Sequence, residues 1–161
     1  MITNKKEIKK WLDEMEIERY KINPDNTVDV EGSVIIYHKR LTIIPVQFRN
    51  VKYHFICDNN KLDSFIGMPS NIGGDLYLDN NNISSLHNLH KHLKKLDHKF
   101  FCDQNPIKSH ILSVFFIKGL NFIEIDNKQV QKIVNDNLNE GDVHKCQEEL
   151  IQAGFEEFAK L

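Results

Sequence analysis

Histidine is the residue type in this chain whose clustering most directly suggests chemistry. His87, His90 and His92 lie within six residues of one another, and His98 follows closely. Imidazoles at this spacing could bind zinc or nickel. Neither a nearby pair of cysteines nor a carboxylate completes a ligand set. We therefore interpret these histidines as surface residues, assign no metal site, and rank a metal-dependent enzyme below the two other functions considered below.

The three cysteines are a second candidate for chemistry. Their number is odd and their spacing is unpaired, which favours a reducing compartment. Cys57 and Cys102 occupy matching places in two short apolar runs, and Cys146 lies on the apolar face of a predicted helix. No polarising partner is expected beside any of them, so we predict small core residues instead of nucleophiles.

Aspartate is the third candidate, because Asp58, Asp79, Asp103 and Asp126 each follow a short apolar run. A row of carboxylates could bind a cation or a basic partner, although the Gly-and-Asp repeat that binds calcium in β-rolls is absent. The sequence leaves open whether the aspartates or the histidines bind a cation. It also lacks the motifs of a nucleophile elbow, a phosphate loop, a dinucleotide site or a zinc protease, so we predict no enzyme and no cofactor.

These residues belong to a repeated segment. Four copies cover residues 34–41, 55–62, 76–83 and 100–107, a degenerate fifth covers 123–130, and the starts are 21, 21, 24 and 23 residues apart. The shared pattern is L-x-L-x-x-N-x-L, with apolar residues at the L positions. A period near 20 to 29 residues indicates one supersecondary unit per copy.

With this pattern the sequence resembles the leucine-rich-repeat family, in particular its short bacterial class. The residues after the motif, as in 62–69 and 83–89, are similar to the second half of that repeat. The flanks 27–30 and 152–155 resemble repeat proteins of tailed bacteriophages. The family resemblance implies an α/β-type repeat solenoid with short parallel strands, and the phage resemblance implies a protein that acts on a host protein.

We expect a single domain over residues 1–161. Residues 1–30 are predicted to form a cap of one helix and a hairpin, 31–130 about five leucine-rich repeats, and 131–161 a helical cap. The N-terminal helix is expected over 4–16 with Asn4 as its N-cap. The asparagines of the motif are expected to bond backbone groups at the turn after each strand, as a ladder of Asn60, Asn81 and Asn105.

The candidate site follows from the alternation of side chains along a strand. If the L positions point inward, the residue between them points to the concave side, and it is apolar in four successive copies: Ile35, Ile56, Tyr77 and Phe101, followed by Glu124. The next outward column contains Tyr37, Asp58, Asp79, Asp103 and Asp126. Cross-strand packing could explain the apolar stripe, and turn bonding could explain the aspartates. A contiguous exposed apolar patch beside acidic residues also suits a protein partner with an apolar and basic surface.

The composition narrows the function further. The formal net charge is −2, which argues against a dedicated nucleic-acid binder. No apolar run is long enough to cross a bilayer, and the lysine-containing start lacks the apolar segment of a secretory signal, so we expect no membrane association and a cytoplasmic location. The favoured function is a protein–protein interaction module. The alternative is a structural or assembly subunit of a larger particle or homo-oligomer, and the oligomeric state itself stays open.

Overall fold

The computed structural model describes residues 1–161. The helices are α1 (Lys5–Glu14), α2 (Leu89–His92), a 3₁₀ helix (Ile111–Phe116), α3 (Lys128–Leu138) and α4 (Val143–Gln152). The strands are β1 (Tyr20–Ile22), β2 (Val28–Val30), β3 (Val34–Ile35), β4 (Phe48–Val51), β5 (Phe55–Ile56), β6 (Asn71–Ile72), β7 (Leu76–Tyr77), β8 (Lys95–Leu96), β9 (Lys99–Phe101) and β10 (Phe122–Glu124). No helix is long and apolar enough to cross a bilayer.

The strands form two five-stranded sheets. Sheet I has the order β1-β2-β4-β6-β8, and sheet II has the order β10-β9-β7-β5-β3. All neighbours are parallel except β1 and β2, which form an antiparallel hairpin with Tyr20 opposite Val30. Successive passes of the chain therefore alternate between the two sheets.

The predicted fold class is wrong. An α/β-type leucine-rich-repeat solenoid between a helix-and-hairpin cap and a helical cap was expected, but the chain forms an α/β fold of two mostly parallel sheets and five helices, which is not a plain repeat solenoid. The motif marks only the strands of sheet II. The strands β4, β6 and β8 are two to four residues long, about as short as those of sheet II, but they lie outside the repeated motif, in the connections between its copies.

The core lies between the sheets and continues under the helices. It is one cluster of 40 buried apolar residues, to which both sheets and all four α-helices contribute. Trp11 from α1 packs on Phe48 of sheet I, and Phe48 contacts Phe55 of sheet II with ring centroids 5.5 Å apart. Phe48, Phe55 and Phe100 are fully buried, so the two sheets are held together mainly by aromatic and aliphatic packing.

The helix starts carry polar caps. Asn4 accepts a hydrogen bond from Lys6 N at α1, as predicted. Asn127 accepts from Val130 N at α3, and Asp142 accepts from Lys145 N at α4. These side chains pair backbone N–H groups that the first turn of a helix leaves free.

The predicted asparagine ladder is confirmed. Asn81 donates from Nδ2 to Cys57 O and to Leu78 O, both at 3.0 Å, and its Oδ1 accepts from Leu62 N at 2.9 Å. Asn60 and Asn105 make the same kind of bridge one pass earlier and one pass later. Each buried amide therefore joins its own turn to the preceding one and satisfies backbone groups that would otherwise be unpaired in the core.

Candidate functional site

The candidate site is the face of sheet II that points away from the core, which we call the open face. Residues on either side of the predicted stripe are buried, including Phe55 and Cys57 around Ile56, and Leu76 and Leu78 around Tyr77. The register aligns the stripe across all five strands, pairing Ile35 with Ile56, Ile56 with Tyr77, Tyr77 with Phe101, and Phe101 with Glu124. The predicted register of sheet II is therefore confirmed, and the stripe lies on the open face.

The stripe is most exposed at its β3 end. Ile35 is 48% exposed and Tyr37 is 54% exposed, whereas Ile56, Tyr77 and Phe101 are partly covered. Tyr77 and Phe101 cover each other, because their rings stack with centroids 4.7 Å apart and planes within 8°. Cross-strand packing thus accounts for part of the stripe, and the β3 end is the part with the most free apolar surface.

The aspartates lie two residues after the stripe residue of each strand, and most of them accept a hydrogen bond from the backbone of a neighbouring repeat. Asp58 Oδ1 accepts from Asp79 N at 2.9 Å, and Asp79 Oδ1 accepts from Asp103 N at 2.7 Å. Asp126 Oδ1 accepts from Gln104 N at 2.8 Å. Each of these three carboxylates therefore uses one oxygen for the fold, and the column has a structural role whether or not it binds a partner.

The electrostatics of the column differ between its two ends. Lys128 Nζ lies 3.2 Å from Asp103 and 3.5 Å from Glu124, which neutralises the β10 end. Asp58 and Asp79 form no ion pair with a cation. Burial, together with the neighbouring carboxylate of Asp79, raises the pKa of Asp58 to about 6, and burial with the charge of Asp103 raises the pKa of Asp79. The middle of the column is therefore an anionic region without a counter-ion.

The open face also has a third column of side chains, which was not predicted from the sequence. It lies two residues before the stripe on each strand and contains Ser33, His54, Asp75, Lys99 and Phe122. His54 Nδ1 accepts from Asp75 N at 3.0 Å, Asp75 Oδ1 accepts from Lys99 N at 3.0 Å, and Tyr77 donates from its hydroxyl to Asp75 at 3.2 Å. The same alternation that located the stripe would also have predicted this column, two residues upstream on each strand.

The histidines are dispersed over the outer surface. The ring of His87 lies against His110, with centroids 4.6 Å apart, whereas His90 lies against Phe116 and His92 against Phe65. No three His, Cys, Asp or Glu side chains come together in an arrangement that could hold a metal ion. His98 is exposed and lies outside these contacts.

The cysteines lie in the core as predicted. Cys57, Cys102 and Cys146 are all buried and unpaired. Burial raises the pKa of Cys57 and of Cys146 to about 12, and the pKa of Cys102 well above its usual range. Thiols held in the protonated form are poor nucleophiles and poor metal ligands.

Comparisons of the chain with protein-family models, with curated proteins and with solved structures found no match. The function is therefore inferred from the geometry and charges of the open face.

Proposed function

We propose that this chain is a protein–protein interaction module that binds its partner on the open face of sheet II. The contact residues would be the stripe Ile35, Ile56, Tyr77, Phe101 and Glu124, with the column Tyr37, Asp58, Asp79, Asp103 and Asp126. The partner would present apolar side chains beside lysine or arginine.

One observation carries this proposal: Asp58 and Asp79 stand next to an apolar stripe without a cation. Like charges on neighbouring strands repel, and partial burial of a carboxylate without a counter-ion is unfavourable. A lysine or arginine of a partner would relieve both effects while the partner's apolar side chains cover the stripe. Complementary charge of this kind favours specificity and fast association.

The phage resemblance of the flanks favours a host protein as the partner, and with it a cytoplasmic place of action. The proposal includes no catalytic step and no cofactor. It also does not include nucleic acid, since the carboxylates of Asp58 and Asp79 would repel phosphate groups.

The experiment is quantitative affinity capture with the purified chain as bait, in which the wild type is compared with the double variant Asp58→Asn and Asp79→Asn. Asparagine keeps the oxygen that accepts the backbone N–H but removes the charge. We expect the variant to capture at least about tenfold less of each partner protein than the wild type does, since a close charge pair at an interface contributes more than about 1.4 kcal/mol to binding.

A matched control removes two exposed charges on other surfaces, Asp63→Asn and Glu148→Gln. Capture by this control should equal that of the wild type. Equal capture by the wild type and the Asp58/Asp79 variant would overturn the proposal. The proposal would also be overturned if none of the captured proteins binds directly to the purified recombinant chain.

A further inference from the structure

The two edges of sheet II are treated differently. At the β10 edge, α3 covers the strand and its side chains pair the outward backbone groups. Asn135 accepts from Ile123 N at 2.8 Å and donates to Ile123 O at 2.9 Å, and Gln131 accepts from Ile125 N at 3.0 Å. Covering an edge in this way prevents it from pairing with another chain.

The β3 edge has no such cover. Val34 N and Ile36 N donate to His54 O and Ile56 O of the neighbouring pass, at 2.9 and 2.8 Å. Backbone groups alternate sides along a strand, so the N–H and C=O of Ile35 point away from the sheet. Tyr37 N likewise donates to no group of the protein. The edge therefore presents a short row of free donors and acceptors spaced as in a β-ladder.

Two clefts run along this free edge and meet at Glu16 and Ile35. One has a volume of about 510 Å³ and is lined by Met15, Glu16, Ile35, Tyr37, His38 and Lys39. The other has a volume of about 160 Å³ and lies between residues 16–19 and 32–35. The larger cleft falls in the range of volumes that hold ligands, and half of its lining residues are apolar.

The charge of the larger cleft indicates which occupant it suits. Glu16 lines the cleft at its junction with the smaller one and forms no ion pair, so that end is acidic. Lys39 lines only the larger cleft and forms no ion pair, and the adjoining Arg40 also forms none. Both side chains are exposed. A carboxylate on the occupant would therefore be attracted to the Lys39 end, while an apolar side chain would pack on Ile35 and Tyr37.

We propose that an extended segment of a partner protein adds to sheet II as a further strand beside β3. Its backbone pairs with the N–H and C=O of Ile35 and the N–H of Tyr37, its apolar side chain covers Ile35, and its carboxylate pairs with Lys39. Strand addition of this kind uses main-chain hydrogen bonds for affinity and side-chain pockets for specificity. The inference rests on the proposed function in taking a protein as the partner. Its site shares Ile35 and Tyr37 with the proposed contact surface but does not include Asp58 or Asp79.

The test uses the full chain and three synthetic hexapeptides, acetylated and amidated, in which threonine alternates with valine and the last residue is aspartate, lysine or threonine. Binding is followed by isothermal titration calorimetry and by amide hydrogen exchange. We expect the aspartate peptide to bind at least about tenfold more tightly than the lysine peptide, and to slow exchange at Ile35 and Tyr37 by at least about tenfold.

Four variants separate backbone pairing from side-chain packing. Ile35→Pro removes the outward N–H and replaces the isoleucine side chain, at an edge position where proline is tolerated, and should weaken binding of the aspartate peptide at least about tenfold. Ile35→Ala shortens the side chain but keeps the N–H, and should weaken binding less than Ile35→Pro does. Ile35→Val keeps that N–H and most of the side chain, and should bind like the wild type. Lys39→Glu should reverse the preference between the aspartate and lysine peptides, and it keeps the test valid if the proline variant does not fold.

Four results would overturn the inference. The first two are that none of the three peptides binds, or that the aspartate and lysine peptides bind equally. The third is slow amide exchange at Ile35 and Tyr37 in the free monomer. The fourth is a dimer, seen by sedimentation velocity, that Ile35→Pro dissociates, since a second copy of the chain would then occupy the edge. If no peptide binds but capture still depends on the charges of Asp58 and Asp79, only this inference is wrong. If the aspartate peptide binds as expected but capture does not depend on those charges, only the proposed function is wrong.

Discussion

The ring of Tyr77 stacks on the ring of Phe101 across two neighbouring strands of sheet II, with centroids 4.7 Å apart. The pair lies at the centre of the stripe and at the middle of the sheet. It therefore stabilises the sheet by packing, and it also presents the partly exposed aromatic surface that the proposed partner would cover.

This pair predicts a measurable coupling. In a double-mutant cycle with Tyr77→Ala and Phe101→Ala, we expect a coupling free energy of about 1 kcal/mol, since stacked aromatic pairs contribute this much beyond burial of their area. Urea unfolding of the wild type and the three variants provides the four free energies. A cycle of Ile56→Ala with Phe101→Ala, two residues that are not neighbours in the sheet, should show coupling close to zero. Equal coupling in both cycles would contradict the structure.

The asparagine ladder predicts a large loss of stability at Asn81. Asn81→Ala removes four side-chain hydrogen bonds and leaves Leu62 N and the carbonyls of Cys57, Leu78 and Asp79 without this partner. We expect the free energy of unfolding to fall by about 2 to 4 kcal/mol, because buried polar groups without partners are costly. Asn82→Ala, one residue further on and exposed, should change it by less than about 0.5 kcal/mol.

The raised pKa of Asp58 predicts an unusual dependence of stability on pH. In the unfolded chain an aspartate ionises near pH 4, but in the folded protein Asp58 keeps its proton up to about pH 6. The folded state thus binds more protons between these values, and the contribution of Asp58 to the free energy of unfolding falls as the pH rises through this interval.

Asp58→Asn should remove that contribution while keeping the oxygen that accepts from Asp79 N. We expect the variant to match the wild type at pH 3.5. At pH 7.5 we expect it to be more stable by about 1 kcal/mol, after allowance for screening of a half-buried group by solvent. Thermal unfolding of both proteins across this range measures the difference. A variant less stable than the wild type at pH 7.5 would show that the charge of Asp58 is already compensated within the chain.

The side chains of α3 that pair the edge of β10 predict that this edge opens locally when one of them is removed. Asn135→Ala leaves Ile123 N and Ile123 O without their side-chain partner. We expect exchange of the Ile123 amide to accelerate at least about tenfold and the free energy of unfolding to fall by about 1 to 2 kcal/mol. Gln129→Ala, on an exposed position of the same helix, should leave the Ile123 amide unchanged.

The sequence predicted what a repeated pattern can encode. The buried positions of sheet II, the asparagine ladder and the helix start at Asn4 all follow from spacing and residue type, and the structure confirms them. The stripe and the aspartate column were located correctly because alternation along a strand fixes which side chains share a face.

The remainder depends on long-range pairing that short patterns do not encode. The predicted N-terminal hairpin is present as β1 and β2 of sheet I. A strand such as Asn71–Ile72 has only one buried side chain, so nothing local distinguishes it from a loop, and β4, β6 and β8 of sheet I were missed. The free edge of β3 is likewise invisible in sequence. It depends on residues 15–19 leaving clefts beside β3, whereas at the other end α3 happens to place Asn135 beside Ile123.

If a partner covers the carboxylates of the open face, carboxyl footprinting of the captured complex should detect their protection. A water-soluble carbodiimide with glycine ethyl ester labels accessible carboxylates, and mass spectrometry reports the labelling of each aspartate in the free chain and in the complex. We expect labelling of Asp58, Asp79 and Asp103 to fall at least about fivefold in the complex, while labelling of Asp63 and Glu148 is unchanged. Unchanged labelling of Asp58 and Asp79, with protection elsewhere, would contradict the proposed function.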